Sequence, residues 1–593
     1  MELIHTSEAK INSVDESLSM RIIKGIKYHW HMPMIDHQLV KERAYTHNIA
    51  IPIAQVLYTR GYKESDQIRT FLFPSFEQSV PHPQLMKGMA QAVARLEFAI
   101  DNQEKILIFG DYDVDGVTSA SMALTALIPL GADINFFLPN REKDGYGLST
   151  KAVKRAVENG YKLIITVDNG IAAHEAANLA YKLGIDLIIT DHHRPHDHVP
   201  QALAVIDPHQ DDCAYPFKHL AGVGVIFKLM SMVYEKKGIT KFPEKMYELL
   251  MMGTVADVVP LLGENRFWVR HGLTKIRNIK SNALQVLAAN SNLTKEIWSS
   301  LDIGFMIAPQ INALGRLSDP REAVKFMISS DRLEVERIGA ILKNMNDERK
   351  KVEATIYQEM DMRIRKIDIN NEYLIVGSSD EWPAGVIGLV AGKLMHNYGK
   401  PTLLFHLEPN DIAKGSCRSI PEFDIFSALT QCRDLITQFG GHACAAGLKL
   451  PTKNLVPLKE RIADLIAQKL TFDELHPKLK LDAELTFPEI TGIFMDNMEQ
   501  LEPFGNNNPQ PLFLIKDIVL IKPPQLLKDK HVKCLVFSQG ILKPVIFFNR
   551  PDLMFILKDL HDQSFDIAAH ITINEWQGKK SIELQGLDIF VNK

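Results

Sequence analysis

The stretch KILIFGDYDVDG, residues 105–116, decides the fold: an apolar run breaks on Gly110 and then delivers three carboxylates, Asp111, Asp113 and Asp115. ILIF has the length and composition of a buried strand, and the glycine marks its end. The pattern recurs downstream. KLIITVDNG (162–170) ends in Asp168, DLIITDHH (186–193) in Asp191, His192 and His193, and ALAVIDPH (202–209) in Asp207 and His209. Strands at 105–110, 134–138, 162–167, 186–190 and 202–206 alternate with helical stretches such as 117–128, 149–159 and 172–183. This alternation predicts an α/β fold with right-handed crossovers and a mainly parallel sheet. In such a sheet, residues just beyond the carboxyl ends of the strands converge in one crevice. One more carboxylate, Asp257, stands alone inside the apolar LLMMGTVADVVPLL (249–262), where it needs a partner or a metal. Carboxylates with imidazole and no cysteine suit Mn²⁺ or Mg²⁺, and so phosphate chemistry.

Working outward, the 593 residues exceed one core, and several domains are expected. A composition with 46% hydrophobic and 23% charged residues is that of a globular protein. The acidic start shows no secretory signal, and the most apolar stretch, 249–262, is too short to span a bilayer, so no membrane association is expected. Five widely spaced cysteines without a CxxC pair argue against a disulfide framework or a thiolate zinc site, and for a cytoplasmic location. The net charge of −5 carries no global sign of nucleic-acid binding. Between Lys516 and Arg550, however, seven Lys or Arg face two acids, a basic stripe that includes Lys528, Lys530 and Lys533.

Five segments are expected. Residues 1–45 read as an extension without clear periodicity, and 46–330 as the parallel-sheet domain. A long charged helix over 331–368 follows, free of Gly and Pro from 340 on, and then a second α/β domain over 369–470. Short β-rich runs from 478 to 593 suggest a small antiparallel barrel of the OB type. Removing everything after about 478 is expected to leave the chemistry of the rest intact, provided the rest stays soluble.

DYDVDG also opens calcium EF-hand loops, but the twelfth position here is Met122, not Glu, and a strand stands where the motif needs a helix. GVGVIF (222–227) lacks the third glycine of a dinucleotide fingerprint and follows no strand, which excludes nicotinamide binding. In the second α/β domain, GSCRS (415–419) and FGGHACAAG (439–447) combine small residues with one Arg and one His. They read either as tight core packing or as a place where phosphate approaches backbone amides and a guanidinium fork.

Taken together, GDYDVDG, YGL (146–148), VDNG, DHH, YPFK with LAGVGV, GTVADVVPL, INALGRL, GVIGLVAGKL, GSCRS, FGGHACAAG and LEPFGNNNPQP (501–511) resemble the DHH phosphoesterases. Within them they resemble the RecJ-type single-strand-specific 5′→3′ DNA exonucleases, in family order from about residue 50 onward. The resemblance implies two divalent cations, Mn²⁺ or Mg²⁺, held by Asp113, Asp115, Asp168, His192 and Asp257, with Asp168 bridging and Asp111 in or beside the ligand set. It implies that His193 binds or protonates a phosphate oxygen, with Asp191 orienting an imidazole. It places the terminal nucleotide and its 5′-phosphate on Ser416, Arg418, Ser419, Gly440, Gly441 and His442, with Arg316 as a further contact. The barrel would extend the single-stranded DNA track. Three residues depart from the family pattern: Gln310 for Arg, Pro383 for His, and Asp207 for Asn, the first two weakening the hold on DNA. The function implied is release of 5′-mononucleotides in recombination and repair, by a monomer working with a helicase and a single-strand-binding protein. Alternatives are a DHH phosphodiesterase acting on short oligoribonucleotides or cyclic dinucleotides, or a catalytically silent DNA-binding scaffold.

Overall fold

Ile106–Phe109 (β1) is buried along its whole length, as a strand covered on both faces must be. It lies between Ile134–Phe137 (β2) and Leu163–Val167 (β3); Asp186–Thr190 (β4) and Ala204–Ile206 (β5) continue beyond β3. The order is β2-β1-β3-β4-β5, with every pairing parallel. Val114–Leu127 (α1) leaves β1 with the Asp113 side chain capping it, and packs against Gly222–Lys236 (α2) and Glu244–Ala256 (α3). The five strands and α1 agree with the predicted pattern to within about three residues at their ends, the usual blur of element boundaries.

The computed structural model describes residues 20–139, 145, 147–195, 198–278, 280–317, 320–560, 563–576 and 579–591. They fall into two compact units, Asp66–Asp347 with Glu499–Pro509, and Met1–Ser65 with Glu348–Met498 and Gln510–Lys593. The parallel sheet belongs to the first, which also holds Ala308–Leu317 (α4).

The expected boundary at residue 46 is corrected. Ile51–Thr59 belongs to the other unit, where Ala50 N donates to Asn497 at 2.9 Å and Arg60 pairs with Asp482 at 2.9 Å. From Met20 on, the pattern-free extension is also corrected. Met20–Lys24 and His29–Pro33 form a hairpin, and the second strand pairs in parallel with Lys478–Lys480. Trp30, fully buried, donates its indole N–H to the buried Asp588 at 3.0 Å. Strands of only five residues carry almost no periodic signal, and the elements that hold the hairpin, Lys478–Lys480 and Asp588, lie more than 400 residues away.

The long helix spans Arg332–Ile364 (α5). Ile375–Ser379 (β6), Ala384–Tyr398 (α6), Thr402–Leu407 (β7), Ile412–Arg418 (β8), Gln438–His442 (β9) and Ala445–Pro451 (β10) follow, in sheet order β9-β10-β8-β7-β6. The barrel comprises Phe513–Leu520 (β11), His531–Ser538 (β12), Ile541–Phe547 (β13), Phe565–Trp576 (β14) and Lys579–Val591 (β15). Pairings run β11-β14-β15-β13-β12 and return to β11, closing the ring and leaving no open edge among these strands.

Candidate metal centre

The carboxyl ends of β1, β3 and β4 deliver Asp111, Asp113, Asp115, Asp168, His192 and His193 to one place, and the end of α3 adds Asp257. Three overlapping groups form there: Asp111, Asp113 and Asp168; Asp115, His192 and Asp257; and Asp168, His192 and His193, each with ligand atoms within 4.8 Å of one another. Asp168 belongs to two of them and adopts a left-handed backbone, φ 60°, strain that a functional turn retains.

Local structure explains each placement. Asp113 is the N-cap of α1, and its Oδ1 accepts from Gly116 N at 3.1 Å. Asp115, inside the first turn and 1% exposed, accepts from Gly222 N at 2.6 Å and Val223 N at 2.9 Å, the amides that begin α2. A side chain at Gly222 would stand 2.6 Å from the Asp168 Cβ, and one at Gly253 would stand 2.9 Å from Asp115 Oδ1. Gly222 of GVGVIF and Gly253 of GTVADVV are therefore close-approach positions around the carboxylates. Asn312, on α4, accepts from Val114 N at 3.2 Å and steadies the same loop. Nothing in the motifs themselves announces that role, since it depends on which helix ends meet.

His192 shows what the cluster suits. Its Nε2 is buried without a hydrogen bond, yet lies 3.1 Å from Asp168 Oδ1, 3.7 Å from Asp257 Oδ2 and 3.9 Å from Asp115 Oδ2. The Leu220 backbone is a hydrogen-bond partner of the ring, and Nε2 is left among the carboxylates. Burial, then the neighbouring His193, lowers its pKa to about 4, so the ring is neutral. Burial and then Asp113 push Asp115 up to about 7; burial and the surrounding carboxylates also raise Asp168 and Asp257. Crowded, desolvated carboxylates around a neutral imidazole fit divalent cations and little else.

His193 is built differently. Burial works against its charge, but Asp191 Oδ1 lies 2.7 Å from its Nδ1 and raises it to about 9. Burial alone would raise Asp191; the His193 bond and charge hold it below the usual carboxylate range. Asp191 also accepts from Ile171 N at 2.9 Å, so a fixed carboxylate orients a protonated, half-exposed imidazole.

The second predicted cluster lies in the other unit. Arg418 pairs in register with Ala445 and His442 with the same Ala445; Ser416 and Gly440 meet likewise across Gly447. Ser416, Arg418 and His442 thus share one sheet face, separated by residues small enough to leave a floor. Gly388 of α6 faces Ser416 and Arg418, where a side chain would stand 3.2 Å from the guanidinium. Arg418 donates to the Cys417 carbonyl at 2.8 Å and to Ser416 Oγ at 3.3 Å. Gly441 has φ 142°, and a side chain there would meet the Ala445 carbonyl at 2.4 Å.

Several expectations need correction. Ser419 is 2% exposed and donates its hydroxyl to the Phe423 carbonyl at 2.6 Å, so it closes a turn instead of facing a ligand. Gln310 is 1% exposed, donating to Leu287 and Met306 carbonyls at 2.9 and 2.8 Å, so this departure is an interior joint and not a missing surface cation. Asp207 is likewise buried, with Oδ1 accepting from His209 N at 2.7 Å. Pro383 caps α6. The basic stripe thins: Arg550 is buried against Asp552 and Asp588, Lys516 pairs with Glu484 at 2.6 Å, and Lys533 sits 3.4 Å from Glu583. Lys528 and Lys530 remain exposed. Tyr146 and the Arg316 side chain lie outside the described residues.

The DHH family N-terminal domain matches residues 105–254, the DHHA1 domain 370–468 and the RecJ OB domain 481–588. A single-stranded-DNA-specific exonuclease RecJ of Bacillus subtilis is 35% identical, covering 96% of this chain and 71% of the relative. One of Dickeya dadantii is 33% identical over 84% of this chain and 90% of its own length. Among solved structures, RecJ in complex with Mn²⁺ from Thermus thermophilus aligns with a TM-score of 0.79 at 26% identity, covering 95% of this chain and 80% of that one.

Proposed function

This chain belongs to the RecJ family of single-stranded-DNA-specific exonucleases within the DHH phosphoesterases, and from that membership we propose how it works. It is a metal-dependent exonuclease of single-stranded DNA with Mn²⁺ or Mg²⁺ as cofactor. It removes nucleotides from the 5′ end, releasing 5′-mononucleotides in recombination and repair. The observation that carries the reading is the strand-end cluster in which His192 Nε2 lies unbonded among three carboxylates.

Asp113, Asp115, Asp168, His192 and Asp257 would hold two cations, with Asp111 beside them. When bound, the cations supply Lewis-acid charge to the scissile phosphate and to the attacking water. His193, carrying its proton up to about pH 9, donates to a phosphate oxygen or to the departing 3′ oxygen, while Asp191 holds its ring. The strand left behind keeps a 5′-phosphate, and Arg418 with Ser416, His442 and the Gly440–Gly441 amides takes it. Lys528 and Lys530, with Lys533 contributing less, track the following backbone. A helicase and a single-strand-binding protein supply and protect the substrate. Five cysteines without a disulfide fit a reducing cytoplasm.

Product analysis on end-labelled single-stranded DNA, single-stranded RNA and blunt duplex tests this. The expected result is mononucleotide release from the 5′ end of single-stranded DNA, absent in chelator. Release from the 3′ end, or preference for dinucleotide RNA, would contradict it.

A further inference from the structure

Val258, directly after Asp257, has φ 60°. A β-branched residue is strongly disfavoured in the left-handed region, and such strain persists only where the surroundings enforce it. The enforcing contact comes from LEPFGNNNPQP, nearly 250 residues away. Asn506 Nδ2 donates to the Val258 carbonyl at 2.7 Å, and the Asn506 carbonyl accepts from Leu261 N at 2.9 Å. One residue therefore grips the Asp257 turn at both ends.

The segment is rigid independently of that side chain. Gly505 and Asn508 exchange backbone hydrogen bonds of 2.8 and 3.1 Å. The buried Asn508 amide donates to the Leu501 and Pro503 carbonyls at 2.8 Å each, and Ser300 Oγ donates to the Phe504 carbonyl at 2.6 Å. Arg266, 2% exposed, donates to the Leu501 and Gln500 carbonyls at 2.8 and 2.6 Å. A side chain at Gly505 would stand 2.6 Å from Leu261 Cδ1, so the segment sits directly against the turn. The Asn506 side chain itself is exposed and belongs to none of the carboxylate groups.

We infer that Asn506 is a positioning residue for the metal centre: by clamping the strained Val258 carbonyl it fixes the Asp257 carboxylate where a cation takes it. The inference rests on Asp257 being a cation ligand. Without the amide donor the turn relaxes to an ordinary backbone and carries the carboxylate away.

The test is calorimetric titration of Mn²⁺ into the chelator-treated full chain, with the melting temperature of the metal-free protein measured alongside. Asn506→Asp keeps the size but sets an acceptor against the Val258 carbonyl, and Asn506→Ala removes the group. Both are expected to weaken Mn²⁺ binding by about tenfold, the scale of one strained residue, with the metal-free melting temperature nearly unchanged. Val258→Gly adopts φ 60° without strain, so in that background Asn506→Ala is expected to weaken binding by less than about threefold. Unchanged Mn²⁺ affinity in both Asn506 variants, with Asp257→Ala weakened, overturns the clamp alone. An equal loss from Asn506→Ala with and without the Val258→Gly change overturns the strain argument. Unchanged affinity in Asp257→Ala overturns the ligand reading, and the clamp with it.

Discussion

Asp115 holds both carboxylate oxygens on the first amides of α2 while burial and Asp113 push its pKa up to about 7. An acid whose folded pKa stands above its unfolded value binds more protons folded than unfolded. The metal-free protein therefore loses stability as pH rises from about 4 through about 7. A divalent cation replaces those protons and removes the repulsion, so its stabilising effect grows over the same window. The rise in melting temperature on adding Mn²⁺ is expected to be larger at pH 8 than at pH 6, by about a tenfold change in apparent affinity for each displaced proton. Equal shifts at the two pH values would contradict this. At this scale the sequence conveyed residue types and order but not the direction of side chains. The strand-end carboxylates were legible because a strand's end fixes where the next residue goes. Ser419 and Gln310 were misread because nothing in GSCRS or APQINALGR shows that one hydroxyl turns into Phe423 and one amide into the helix of Leu287.

Among elements, the three strands β8, β10 and β9 set Arg418 and His442 on one face with only alanine and glycine between. If this face takes the 5′-phosphate, Arg418→Ala loses about 1.5–3 kcal/mol of charge-assisted bonding, and only on phosphorylated ends. Equal binding losses on phosphorylated and unphosphorylated strands would assign Arg418 to packing instead. On the barrel, exposed Lys528 and Lys530 flank the turn into β12, whereas Lys533 already faces Glu583. Replacing the first two with Ala is expected to flatten the dependence of log affinity on log salt by about 0.7 for each phosphate no longer neutralised, and Lys533→Ala to do less. An unchanged slope in the double variant would make the stripe a solvated face. Elements with strong periodicity were legible, including the barrel strands, while the hairpin at Met20–Pro33 was not, since its pairing partner follows from tertiary structure alone.

At the scale of the whole molecule, chain order and compact units do not coincide. Residues Glu499–Pro509 belong with Asp66–Asp347, although in the chain they stand at the entry to the barrel. Removing everything after about 478 therefore takes more than the barrel: that deletion also strips Arg266 of the Leu501 and Gln500 carbonyls. A chain ended after 478 is expected to lose short-strand cleavage with its stability, and one ended after Pro509 to keep it. Equal activity in both would contradict the assignment of this segment. The central claim is that the strand-end carboxylates hold the cations that drive hydrolysis, and equilibrium Mn²⁺ binding joined to single-turnover cleavage tests it most directly. The chelator-treated protein is expected to bind two ions per chain and regain cleavage as they bind, and Asp168→Ala to lose at least one ion and all turnover while staying folded. Undiminished cleavage by Asp168→Ala, or by the parent protein in chelator, would contradict it.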